Sequence, residues 1–101
     1  MQFVQSSENI NTTAAVATAG TALADNPARV YFQVQNVGAS PLYVLFGNGA
    51  ASASNCHVIL KAGQAALDGN GGIYQSGTVC YSGRVAIGGT APSALVTEIA
   101  P

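Results

Sequence analysis

The chain predicts an all-β fold, a small antiparallel β-sandwich or barrel of about six to eight short strands. Three observations carry this expectation. Short apolar runs alternate with polar residues at the period of a strand. Turn residues break those runs at close spacing, with 12 glycines and 4 prolines in 101 residues. Only seven residues are charged, so the acidic and basic side chains that decorate a solvent-facing helix are missing.

The first element is the least defined. Met1–Asp25 reads as an N-terminal arm or an early strand, ahead of a β-sandwich/barrel domain over 26–101. The alanines of 14–28 support a helical turn, but Thr12, Thr13, Val16, Thr18 and Thr21 are β-branched and favour extended chain. Ala22–Ala24 fits the small-residue pattern of a signal-peptide cleavage site. Met1–Thr13 has no Lys or Arg and contains Glu8, so a secretory leader is not expected.

The later elements are clearer. Arg29–Asn36 (RVYFQVQN) alternates, with Val30, Phe32 and Val34 on one face and Tyr31, Gln33 and Gln35 on the other. Gly38–Pro41 makes a turn. Leu42–Phe46 (LYVLF) is apolar on both faces and needs cover on both sides. Gly47–Asn55 holds no residue large enough to pack a core and reads as a loop. Cys56–Lys61 (CHVILK) is the next strand, with Val58 and Leu60 opposite to His57 and Ile59. Asp68–Gly72 (DGNGG) is the strongest turn signal, because Gly and Asn tolerate positive φ. Ile73 and Tyr74 pack where that loop returns to the core.

Thr78–Tyr81 and Arg84–Ile87 read as a β-hairpin across Ser82–Gly83, with Val79 and Tyr81 on one face. Gly88–Ser93 is a loop. Ala94–Ala100 closes the chain as a strand, with Leu95 and Ile99 on one face and Val96 and Glu98 on the other.

Composition bounds the function. The length suits one domain. Two arginines and one lysine, far apart, cannot neutralise a run of phosphates, so no nucleic-acid partner is expected. The same scarcity argues against a polybasic membrane patch, and no apolar stretch reaches the ~20 residues of a membrane-spanning helix. So little charge also leaves little repulsion between free monomers. A surface largely covered by other protein, in a symmetric oligomer or larger assembly, accounts for both the composition and the unprotected sheet edges.

Chemistry is sparsely represented. Cys56 and Cys80 are the only cysteines and sit within expected strands as buried thiols; one disulfide is the alternative. His57 follows Cys56, and adjacent strand side chains point to opposite faces, so the two do not make a nucleophile–base pair. There is no CxxC or HxxxH, and DGNGG lacks the third ligand and the glutamate of a calcium loop. The Gly-rich stretches have no following helix to cradle a phosphate. Neither catalytic residues, metal ligands nor cofactors are expected. Tyr31, Tyr43, Tyr74 and Tyr81 are the candidate interface residues, since tyrosine combines apolar area with a hydroxyl; ordinary packing is the competing explanation.

Five segments carry a resemblance: NPARVYFQVQNVGASPLYVLFG at 26–47, CHVILKAG at 56–63, DGNGG at 68–72, YSGRVAIGGTAP at 81–92 and ALVTEIA at 94–100. Together they resemble small virion proteins of tailed bacteriophages, most of all the capsid decoration (cement) proteins. The likeness covers about residues 26–100 and rests on strands and turns. It implies a location on the outer capsid surface, the major capsid protein as partner, self-association as a homotrimer, and no active site. Three rival expectations stand beside it. A head-spike, tail or surface adhesion module would present tyrosines on a concave carbohydrate site. A secreted surface or pilus-like subunit would pair Cys56 with Cys80. A small thiol enzyme would carry a reactive cysteine.

Overall fold

A computed structural model describes residues 9–100 except 17, 66, 67 and 78. The described chain is all-β, with eight strands: β1 Asn9–Val16, β2 Gly20–Leu23, β3 Tyr31–Asn36, β4 Leu42–Phe46, β5 Val58–Leu60, β6 Ile73–Gln75, β7 Val85–Gly88 and β8 Ala94–Ala100. They form two four-stranded antiparallel sheets, ordered β1-β8-β3-β6 and β2-β7-β4-β5. No ladder joins one sheet to the other, which makes the architecture a sandwich.

Residues 9–23 contribute one strand to each sheet. The first eight residues of the segment read as an arm or early strand lie outside the described residues.

The core is the space between the sheets. Phe32 and Val34 of β3 and Ala94 and Val96 of β8 face Leu42, Val44, Leu60, Val85, Ile87 and Leu23 of the other sheet. The register explains the set: Val34 lies opposite Val96, and Val44 opposite Ile87 and Val58. Burying each large aliphatic or aromatic side chain contributes about 1.5–3 kcal/mol relative to exposure.

The chain changes sheet at almost every step. Only β4 and β5 are both consecutive and paired. This overturns the hairpin expected over 78–87. β7 is an inner strand, with one edge taken by β2 and the other by β4, so no edge remains for residues 79–81; Thr78 lies outside the described residues. The carbonyls of Tyr81 and Gly83 instead accept from Arg29, and that of Ser82 accepts from the Asn26 amide at 2.8 Å. Val79 is therefore 87% exposed rather than paired with Tyr81 on a face.

Smaller corrections follow from the same wiring. Val30 does not join Phe32 and Val34 in the core, because a turn at Asn26–Arg29 ends just before it and β3 begins at Tyr31. Neither cysteine lies in a strand. Cys56 leaves the loop bridged by Ser52 and Asn55, Cys80 precedes the carbonyls bound by Arg29, and both are free and half-buried. Ile73 is an exposed strand residue, whereas Tyr74 packs on the core.

Candidate interaction surface

Across all eight strands the sole charged residue is Glu98. It occupies the inward side of β8 with Val96, and its Oε2 accepts from Arg29 Nε at 2.8 Å. None of the strand residues on the outward side of either sheet is therefore charged. Soluble sheets ordinarily put charge on exposed faces and edges to prevent pairing with other chains.

The outward face of the β1-β8-β3-β6 sheet is the more open of the two. Alternation and register place Tyr31, Gln33 and Gln35 of β3 beside Ile99, Thr97 and Leu95 of β8, with Ile73 and Gln75 of β6 flanking. The Tyr31 hydroxyl donates to Gln33 Oε1 at 2.7 Å, so the two share the surface. The β3 and β8 members are half-exposed and Ile73 is 45% exposed. On β1, Thr12 lies in register with Thr97 and Ile10 with Ile99.

The opposite outer face is partly roofed by loop 47–55. A side chain at Gly88 would collide with the Ala51 carbonyl, and one at Gly49 would touch Leu45 at 3.6 Å. The loop is held by Arg84, whose Nη1 donates to the Gly47 and Gly49 carbonyls at 3.1 and 2.9 Å and whose Nε donates to Thr21 Oγ1 at 2.7 Å. This explains why Leu45 is buried although it points away from the core. Beyond the roof, Ile59 is 60% exposed and Tyr43 half-buried, opposite each other in register.

Between the sheets lies an aromatic cluster centred on Phe46. His57 stacks on it at 5.3 Å and 9°, Tyr81 stacks at 5.3 Å, and Tyr74 and Phe32 meet it at 5.3 and 5.9 Å. The Arg29 guanidinium lies 5.3 Å above Phe32. Phe46 is the last residue of β4 and Tyr74 the middle of β6, so the cluster fills the seam where no strand ladder closes the sandwich.

The four candidate tyrosines are thus divided. Tyr31 and Tyr43 lie on the outward faces of opposite sheets. Tyr74 and Tyr81 come together against Phe46 and the core. They do not line one concavity. The residues that sequence reasoning missed are Gln33, Gln35, Leu95, Thr97 and Ile99. The missed signal was the absence of charge from whole strands rather than the presence of tyrosine.

His57 Nδ1 accepts from the Phe46 amide at 3.0 Å, and Cys80 Sγ donates to the Tyr81 carbonyl at 3.5 Å. Asp68 closes its own turn. Its Oδ2 accepts from the Ala65 amide at 2.8 Å and its Oδ1 from the Asn70 amide at 2.9 Å. The Asn70 and Ala65 amides hold its carboxyl below the ordinary value of 3.8. Among the described residues, no three His, Cys, Asp or Glu side chains gather as metal ligands would. Comparison with protein-family models, curated proteins and solved structures found no match.

Proposed function

We propose that this chain is a structural virion protein that binds the outside of a bacteriophage capsid as a homotrimer and braces it by bridging coat subunits, without a catalytic step. The observation that carries this reading is the uncharged outer face of the β1-β8-β3-β6 sheet. Covering a charged surface costs desolvation free energy unless every charge finds a partner. A face of Gln, Thr, Tyr, Leu and Ile can be covered with hydrogen bonds and apolar contact alone, as interface cores commonly are.

The size of the face suits a repetitive lattice. Six-residue strands at sheet spacing span about 20 by 19 Å. That is roughly half of the ~800 Å² that one partner contributes to a standard stable interface. A single such contact is weak, whereas three copies held in one oligomer raise the effective concentration of each contact and give avidity. A protein that acts by adding contacts across a seam needs rigid faces and no reactive groups.

Sedimentation of the native source lysate through a density gradient, probed for this chain, tests the reading. Co-migration with megadalton, DNA-filled particles is the expected result. Recovery solely at the top of the gradient, as free monomer or small oligomer, overturns it.

A further inference from the structure

The two arginines are satisfied in different ways. Arg29 is buried, 4% exposed, and its charge is met by Glu98 while its η-nitrogens donate to the carbonyls of Ala24, Tyr81 and Gly83. Arg84 has three hydrogen bonds, to Thr21 Oγ1, Gly47 O and Gly49 O, all to neutral oxygens. Among the described residues, no carboxylate lies within ion-pair distance of Arg84, and its Nη2 has no hydrogen-bond partner. Nη2 is not buried, since no buried side-chain nitrogen or oxygen among the described residues lacks a partner.

Arg84 also lines a cleft of about 180 Å³. The other walls are Ala19, Gly20, Gly49, Ala50, Ala51 and Ile87, all small residues except the last. A side chain at Gly20 would meet nothing within 4 Å, which confirms open space there. The cleft lies between β2 and the roof loop, and the two bonds that pin that loop, with the third to Thr21 on β2, fix the guanidinium in place. Little side-chain entropy remains to be lost when a ligand arrives.

We infer that this cleft is a receptor site for a carboxylate, supplied either by a small free acid or by an acidic side chain of a partner polypeptide. The charge and the donor count select this class. One guanidinium with a single unused nitrogen matches a monoanion through a charge-assisted hydrogen bond. A phosphate dianion would keep a surplus charge, and a neutral ligand would leave the arginine without a counter-ion. The small walls admit a carboxyl group with a short aliphatic stem. The site does not depend on the virion reading, because its geometry lies within one chain.

The test is an amide chemical-shift titration of the full chain with sodium acetate, against sodium chloride at equal ionic strength. Saturable shifts at Gly20, Gly49 and Ala51 and at the Arg84 Nε–H are expected, with half-saturation on the order of millimolar for so small a ligand. Ala50→Leu fills the cleft without removing any Arg84 partner. It should weaken acetate binding at least tenfold while the Arg84 Nε–H signal stays in place, which shows that the clamp is intact. A blocked Gly-Glu-Gly peptide separates the two sources. Shifts at the same amides assign the site to an acidic side chain, and shifts with acetate alone assign it to a free acid. Acetate acting no more strongly than chloride, or binding Ala50→Leu as tightly as the unaltered chain, overturns the inference.

Discussion

Arg29 Nε and Glu98 Oε2 meet at 2.8 Å across 69 positions of sequence, with the Arg29 side chain fully enclosed. The pair fastens the turn before β3 to β8. Through its other nitrogens Arg29 also fixes the chain at 24 and at 81–83. Removing one member of a buried pair leaves the other without compensation. Arg29→Ala should therefore lower unfolding free energy by about 3–5 kcal/mol. Glu98→Gln also takes the counter-charge from the enclosed guanidinium, but it keeps an acceptor for Nε–H and leaves the bonds to the Ala24, Tyr81 and Gly83 carbonyls in place, so it should cost less than Arg29→Ala, which strands those carbonyls as well. Urea denaturation of both variants checks the order, and equal losses would count against the pair as the organising contact.

Asn36 plays a comparable part at the other end of β3. Its Nδ2 donates to the carbonyls of Ser40, Leu60 and Lys61 at 2.8–3.1 Å, and its Oδ1 accepts from the Gly38 amide at 2.9 Å. Asn36→Ala strands buried carbonyls and should cost about 2–3 kcal/mol. Asn36→Asp should be worse at neutral pH, because a carboxylate oxygen would then face three carbonyl oxygens. Thermal melts of the two variants would show the aspartate melting at the lower temperature.

The roof loop approaches β7 so closely that Gly88 has no room for a methyl group, which would meet the Ala51 carbonyl. Gly88→Ala should lose about 1–3 kcal/mol through overpacking. Gly77 has open space around its Cβ position, so Gly77→Ala serves as the control with little loss. Similar stability of the two would mean that the loop does not sit on the sheet in solution.

Asp68 gives a pH dependence with a defined sign. Its folded-state carboxyl is held below the ordinary value of 3.8 by the Asn70 and Ala65 amides. Stability from this turn is thus complete above the ordinary value and is lost as pH falls through the lowered one. The stability difference between the unaltered chain and Asp68→Ala should be flat above about pH 5 and shrink below pH 3.8. Because Asp68 is exposed, the difference should be small; a difference that grows on acidification would contradict the assignment.

Thr97 lies on the outward face of β8, between Gln33 and Thr12 in register. Thr97→Arg places an unpaired charge near the centre of the proposed capsid contact. It should abolish co-sedimentation with particles while changing the melting temperature by only a few degrees, as surface substitutions do. Retained particle binding would move the contact to another face.

The sequence alone determined the fold class and most strands, because period-2 alternation and turn residues are local signals. Phe32 and Val34 were legible as one face of an alternating strand, whereas the inward side of β8 was not, because Val96 shares it with Glu98 and the opposite side carries Leu95 and Ile99. The sequence also determined the lack of charge, though not its placement. Partner choice among strands was decided only by tertiary structure. Residues 78–87 looked like a hairpin because a Ser-Gly turn joins two apolar runs, yet β7 pairs with β2 and β4, which lie far from it in sequence. The burial of Arg29, the division of the four tyrosines between two faces and an inner cluster, and the Arg84 clamp were equally invisible. Each depends on contacts between segments distant in sequence, and only the packing of two sheets brings those groups within bonding distance.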